Sequence, residues 1–239
     1  MSPSAGTLEA VRRDFVANVS HELRTPVGAL ALLGEALSGE TDPIVVSRLA
    51  KRITAEADRA ARMIEDLLDL SSIEAGGPMN RRRVSVGAVV SAAVERAQPS
   101  ATLRSVRLVV SAPSLHEAFV EGDEAQLVSA VANLVDNAAK YSHLDSAVDV
   151  SVDIKETDVE ISVRDCGIGI PRDDLERIFE RIYRVARARS RDTGGTGLGL
   201  SIVRHIATNH SGAVSVDSSE GQGSTSTLRL PMAGVEPNR

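Results

Sequence analysis

Two long apolar stripes open this chain, and a clear break separates them. Leu8, Phe15, Val19, Leu23, Val27, Leu30, Leu33 and Leu37 form the first; Val46, Leu49, Ile53, Ala57, Ala60, Ile64, Leu67 and Leu70 or Ser71 form the second. Steps of three, four and seven line one face of a helix. Between the stripes lies Ser38-Gly39-Glu40-Thr41-Asp42-Pro43, with a glycine to end one helix and Asp-Pro to open the next. The pattern predicts two antiparallel helices, over residues 8–37 and from Pro43 to Ile73. A hairpin cannot bury both stripes by itself, so dimerisation into a four-helix bundle is expected. Periodicity alone fits a coiled-coil spacer equally well.

The first helix carries something a spacer does not need. His21 lies two residues after Val19, about 200° round the helix, so it points away from the stripe. Glu22 is its neighbour, and Thr25 sits one turn on, on the same face. Pro26 cannot donate to the carbonyl of Glu22, which predicts a bend just past the histidine. An exposed imidazole, a carboxylate and a kink can make a reactive site, although a lone surface histidine is usually just solvated.

Gly76-Gly77-Pro78 breaks the helical pattern and marks a boundary. The expected layout is a lead-in over 1–7, a helical hairpin over 8–75, a linker over 76–82, a second domain over 83–232 and a tail over 233–239. In the second domain Val84 to Ala97 reads as a short edge segment entering a helix. Arg107–Val110 and Ala118–Val120 read as strands, and Asp123 can cap a helix reaching Ala139. Ala147–Ile154 and Val159–Val163 alternate as half-buried strands do. A helix over Leu198–Asn209 and strands at Ala213–Val216 and Ser224–Leu230 follow. This is an α/β sandwich with helices layered on one face of a mixed sheet.

Three motifs in that domain suit a nucleotide. Asn133 and Asn137 are four apart on one helix, so both amides face the same way, and amide oxygens are hard ligands suited to Mg²⁺. Asp165 precedes Gly167 and Gly169. A buried carboxylate can accept from an amine such as that of adenine, while the glycines let a base approach. Gly195-Thr196-Gly197-Leu198-Gly199 runs straight into a helix, and glycine amides with a helix N-terminus form a phosphate cradle. The Gly-Lys-Ser/Thr ending of a P-loop is missing. Arg172 to Thr193 is charged and poor in apolar residues and reads as a mobile lid over the cradle. Each motif alone has a plain alternative: exposed amides, a glycine turn, a solvated loop.

Composition narrows the field. A net charge of −6 disfavours non-specific nucleic-acid binding. Cys166 is the single cysteine, which excludes an intrachain disulfide and a cysteine zinc site. Aromatics make up 2% of the chain, so its core must be aliphatic. No apolar run reaches the ~18–20 residues of a membrane span. The sequence therefore reads as cytoplasmic, either by itself or as the cytoplasmic portion of a membrane-anchored protein.

The order of the motifs is more informative than any one of them. His21-Glu-Leu-Arg-Thr25-Pro26, Asn133 to Ser142, Asp165-x-Gly167-x-Gly169, Phe179-Glu-Arg-Ile-Tyr-Arg184 and Gly195 to Leu200 resemble, in sequence, the five boxes of sensor histidine kinases of two-component systems. Gly221-Gln-Gly223-Ser-Thr225 resembles the further glycine box. The resemblance covers 8–231 and implies a dimerisation and phosphotransfer hairpin joined to a Bergerat-type ATP-binding domain. The surroundings of His21 and the segment Arg187–Gly194 look most like the actinobacterial phosphate-sensing branch.

By resemblance, His21 is the phosphoacceptor and Glu22 orients or deprotonates its imidazole. Asn137 is the Mg²⁺ ligand with Asn133 beside it, Lys140 contacts phosphate, and Tyr141 packs at the nucleotide. Asp165, with Gly167 and Gly169, reads adenine; Arg184 reaches the γ-phosphate; Gly195, Thr196, Gly197, Leu198 and Gly199 form the phosphate loop; and Thr225 belongs to the last nucleotide box. Thr25 implies a second, hydrolytic activity toward a phosphorylated response-regulator receiver domain, the expected partner. Ile182 and Ser226 depart from the family's usual aromatics, which reduces apolar packing near the lid and the final strand. The competing function is a catalytically silent dimeric ATP-binding scaffold, which predicts a damaged His21, Asn137 or glycine loop. A serine kinase of the anti-sigma type would share the Asn and Gly boxes but lack the hairpin.

Overall fold

Helices form where the described part of each stripe places them; Leu8, Phe15 and Val19 of the first stripe lie outside the described residues. The computed structural model describes residues 23–74, 79–111, 118–181, 183–185 and 196–234. Residues 23–38 are helical (α1) straight through Pro26, and α2 spans Pro43–Glu74. Glu40 builds the turn between them, accepting from the N–H groups of Thr41 at 2.8 Å and Asp42 at 2.9 Å. Asp42 then caps α2 by accepting from the Ile44 N–H at 2.8 Å. The chain divides into a first unit ending at Asp69 and a second beginning at Leu70.

The stripes themselves need correcting. On α1 the covered positions are Leu23, Pro26, Leu30, Leu33 and Leu37, while Val27 is 58% exposed. On α2 the covered positions include Val46, Leu49, Ile53, Ala60, Leu67 and Leu70, as expected, and also Val45, Glu56, Arg59, Met63 and Asp66. Met63 is 2% exposed, whereas Ile64, expected on the stripe, is 49% exposed and Ala57 faces solvent. Strict alternation of three and four keeps one seam facing a partner, and adjacent apolar residues such as Met63 and Ile64 leave the seam ambiguous in sequence.

The second unit is built on two sheets. Strand β1 (Arg82–Ser85) pairs antiparallel with β3 (Phe119–Gly122). The main sheet has the order β2-β4-β5-β7-β6, from β2 (Arg107–Ser111), β4 (Ala147–Ile154), β5 (Asp158–Asp165), β6 (Ala213–Ser218) and β7 (Ser224–Pro231). β2 runs parallel to β4, and the remaining pairs are antiparallel. Three helices, α3 (Val86–Leu103), α4 (Glu124–Tyr141) and α5 (Gly199–Asn209), pack against this sheet. α3 runs past the expected Ala97 and through Pro99, which lies on its solvent side, where water can satisfy the carbonyl that proline leaves unpaired.

Inward positions of the strands supply Val148, Val150, Val152, Val159, Ile161, Val163, Leu228 and Leu230, all at most 1% exposed. Leu127, Val131, Leu134, Val135, Ile202, Val203 and Ile206 meet them from α4 and α5, giving the aliphatic core that the composition demands. The opposite face is polar. Ser111, Ser151, Ser162, Thr227 and Ser215 are register partners across all five strands, and the Ser162 and Thr227 hydroxyls hydrogen-bond at 3.1 Å.

The start of this unit is pinned at several points. The Asn80 N–H donates to Asp123 at 3.1 Å, the Arg81 guanidinium donates to Asn209 O, Arg82 pairs with Glu124, and Arg83 lies 4.4 Å over the Phe119 ring. Asp123 caps α4 by accepting from Ala125 and Gln126. Buried His210 joins the start of α4 to the end of α5: its Nε2 accepts from the Asp123 N–H at 3.0 Å, which leaves Nδ1 to donate to Ile206 O at 2.8 Å.

Candidate active site

Helix α4 carries the amides. Asn133 and Asn137 lie half-buried on one side of it, and Asn133 steadies itself by donating to Ser129 O at 3.0 Å. Gly199, the first residue of α5, sits against both. A Cβ there would come within 2.7 Å of Asn133 Oδ1 and 3.7 Å of Asn137 Nδ2. The helix that follows the glycine loop therefore starts directly beside the two amides, a contact a side chain would prevent. Upstream, Thr196 Oγ1 accepts from the Leu198 N–H at 3.2 Å, Gly197 has φ +73°, and Leu198 is buried. Gly195 lies outside the described residues.

Asp165 ends β5, 7% exposed, facing the helices. Burial pushes its carboxyl above the ordinary value, opposed by hydrogen bonds from the Gly167 N–H, at 2.8 Å, and from Ser224. Gly167 is pressed against the end of α4, where a Cβ would fall 2.0 Å from Tyr141 O, and the Ile168 N–H donates to that carbonyl at 3.2 Å. Gly169, at φ +65°, packs on the Ser219 backbone. Ser218 joins the two glycine boxes: its hydroxyl accepts from the Ile170 N–H at 2.9 Å and donates to Gly223 O at 2.8 Å.

The last nucleotide box needs a correction. Strand alternation puts Thr225 opposite Arg164 and Asp217, on the face away from the helices. The hydroxyl that meets Asp165 is its neighbour Ser224. The glycine box located the strand, but register decides which of two adjacent hydroxyls turns inward.

Lys140 and Tyr141 close α4, half-buried. Burial raises the Tyr141 phenol, while the charges of Arg184 and Arg104, and a hydrogen bond from Arg184, favour its ionised form. Arg184 is thus brought to the site from the other side. The lid expected over Arg172–Thr193 begins as something more ordered: two short 3₁₀ turns, at Arg172–Asp174 and Arg177–Phe179, the second packed on α5 with Ile178 buried. The Tyr183 hydroxyl donates to Asp174, and Arg177 stacks 4.3 Å over the Tyr183 ring. Ile182 and 186–195 lie outside the described residues. Ser226 points inward and is half-buried between Val163 and Val216.

The donor set fits a magnesium nucleotide. Among the described residues no group of three His, Cys, Asp or Glu side chains could hold a metal, so a cation would rely on the Asn amides together with phosphate oxygens. A buried acceptor, a glycine turn entering a helix and basic side chains complete the requirements for adenine and phosphates. His21 and Glu22 lie outside the described residues, and Thr25 is exposed on α1 in the first unit.

Comparison with known proteins agrees with this division. Residues 11–76 match the His Kinase A (phospho-acceptor) domain, and residues 122–234 match the histidine kinase-, DNA gyrase B-, and HSP90-like ATPase domain. The chain belongs to the sensor histidine kinase family. It is 48% identical over 226 residues to the sensor-like histidine kinase SenX3 of Mycolicibacterium smegmatis, covering 94% of this chain and 58% of that protein. It is 37% identical over 232 residues to the phosphate regulon sensor protein PhoR of Pseudomonas aeruginosa, covering 95% and 52%. The chain thus spans little more than half the length of these two relatives. The structure of the histidine kinase ThkA in complex with the response regulator TrrA shares the fold, with a TM-score of 0.73 at 18% identity, covering 94% of this chain and 63% of that one. No described helix is long and apolar enough to cross a membrane.

Proposed function

We propose that this chain phosphorylates its own His21 with ATP and passes the phosphoryl group to an aspartate of a response-regulator receiver domain. The observation that carries the reading is the meeting of Asn133 and Asn137 with Gly199: the amides and the glycine loop, 62 residues apart between Asn137 and Gly199, form one phosphate-binding corner. Asn137, with Asn133 beside it, would hold Mg²⁺, which neutralises charge on the phosphates when bound. Asp165, set by Gly167 and Ser224, accepts from the adenine amine. Lys140 and Arg184 face the phosphates, and Arg184 stabilises charge in the transfer.

His21 attacks the γ-phosphorus in line through a neutral imidazole nitrogen. The bond to the ADP oxygen breaks, ADP leaves, and Glu22 takes or stabilises the proton on the other ring nitrogen. The phosphorylated imidazole then gives its phosphoryl group to the receiver carboxylate. Thr25, one turn from His21, supports hydrolysis of the receiver's phosphoaspartate. The apolar seam of the hairpin supports a homodimer: Leu49, Ile53, Ala60 and Leu67 remain half-buried in one chain, and Ile44, Leu32 and Leu68 are 79%, 69% and 65% exposed. The similarity to the phosphate regulon sensor protein PhoR supports the phosphate-sensing branch, and the chain is proposed to act on the cytoplasmic side.

The test is transfer of label from γ-labelled ATP with Mg²⁺ to the chain and to H21A. Acid-labile, base-stable label on the unaltered chain that vanishes in H21A is the expected result. ATP binding without any label would instead favour the silent scaffold.

A further inference from the structure

Arg104 belongs to none of the sequence boxes, yet it reaches the nucleotide corner. It follows the last turn of α3, and its backbone is fixed there: the Arg104 N–H donates to Ala101 O at 3.1 Å, and the Val106 N–H donates to the same carbonyl at 2.9 Å. Its side chain crosses to the neighbouring helix, where Nη1 donates to Lys140 O at 2.9 Å in a part-buried setting.

The last four carbonyls of any helix lack intrahelical partners. At the end of α4 the C-cap residue Ser142 closes the last helical bond, its N–H donating to Ala138 O at 3.0 Å, and two later carbonyls find donors elsewhere: Tyr141 O takes the Ile168 N–H at 3.2 Å from the Asp165 turn, and Lys140 O takes the guanidinium of Arg104. A cation at a helix C-terminus also meets the negative end of the helix dipole. Lys140 and Tyr141 are the residues whose main chain is held in this way. Arg104 and Arg184 both lend positive charge to the Tyr141 phenol, one from α3 and one from the Arg-rich segment.

We propose that Arg104 is a positioning residue of the nucleotide site, clamping the last turn of α4 so that Lys140 and Tyr141 keep their places beside the Asp165 turn. The proposal rests on the nucleotide reading of that corner. Arginine suits the task because one fixed, planar, permanently charged group can bond a carbonyl while its charge faces a phenol.

The chain has two tyrosines, Tyr141 and Tyr183, and no tryptophan, which makes the phenol readable. Tyrosine labelled with ¹³C at Cζ should give two resonances, assigned with Y183F. R104M should move the Tyr141 resonance and leave that of Tyr183 in place, and R104K should restore part of the shift. ADP affinity, measured by calorimetry, should fall about tenfold in R104M and recover in part in R104K. For phosphorylation the KM for ATP should rise more than kcat falls. If R104M does not fold, R104Q replaces it, keeping a donor but no charge. A folded R104M or R104Q with an unmoved Tyr141 resonance and unchanged ADP affinity would overturn the assignment. An unaltered chain that bound no ADP would overturn the nucleotide reading beneath it.

Discussion

Replacing Asp165 by asparagine separates binding from stability in one substitution. The carboxylate is 7% exposed, and burial raises its pKa above the ordinary value. A group whose folded-state pKa is raised contributes most below its unfolded pKa, and that contribution is lost as pH rises through the folded value. At neutral pH the ionised Asp165 of the unliganded protein is therefore a net cost. In D165N the amide oxygen can still accept from the Gly167 N–H, the 2.8 Å bond that shapes the turn, and the buried charge is gone. The melting temperature of unliganded D165N should hold or rise; in a domain of this size about 1 kcal/mol corresponds to roughly 2–4 °C. Nucleotide binding should behave in the opposite way. A hydrogen bond to a charged partner contributes about 1.5–3 kcal/mol, so the Kd for ADP should weaken by roughly 10- to 150-fold. Thermal unfolding with and without ADP at pH 7 reads both quantities. A D165N that melted well below the unaltered chain yet kept its full ADP-induced shift would refute the reasoning, because Asp165 would then be a structural acceptor.

Three further outcomes follow from contacts described above. G199A places a methyl group 2.7 Å from Asn133 Oδ1; overpacking of this kind costs about 1–3 kcal/mol, and ADP binding by calorimetry should weaken. Burial holds the His210 imidazole below its ordinary 6.5, so its contribution to stability is complete above that value and is lost as pH falls through the folded pKa. Melting curves from pH 7 to 5 should slope down for the unaltered chain and flatten for H210Q. D123A removes the cap of α4 together with the acceptor for the Asn80 N–H; the loss should be about 1–2 kcal/mol, measured by urea unfolding at constant slope.

Element types were readable because the chain repeats its local signals. Asp123 before a 3.6-residue pattern, alternation over Ala147–Ile154, and glycines before Gly199 each point to one structure. What the sequence left ambiguous were choices between neighbours. Met63 faces inward and Ile64 outward, Pro26 is covered and Val27 is not, and Ser224 rather than Thr225 meets Asp165. Each pair offers two residues of similar chemistry one position apart, and the phase of a helix or strand is fixed by tertiary packing. Arg104 and Ser218 carried no signal at all, since their roles depend on contacts 36 and 48 residues away along the chain. Pro99 within α3 shows the converse: a local rule was overridden where the affected carbonyl faces water.

The hydroxyl row Ser111, Ser151, Ser162, Thr227 and Ser215 has a colloidal consequence. Among the described residues this side of the sheet stays partly open to solvent, with Ser111 and Ser215 exposed and Ser151, Ser162 and Thr227 half-buried. Dimerisation through the hairpin, as proposed, tethers two such faces at an effective concentration on the order of millimolar. Valine in that row would give twin sheets a reason to stack and drive the dimer toward fibres or precipitate. Ser162 and Thr227 already bond each other, and exposed hydroxyls are solvated, so stacking would trade solvated hydroxyls for dehydrated ones and gain nothing. The row thus acts as an anti-adhesive coating, and two tethered domains can share a small volume without sticking.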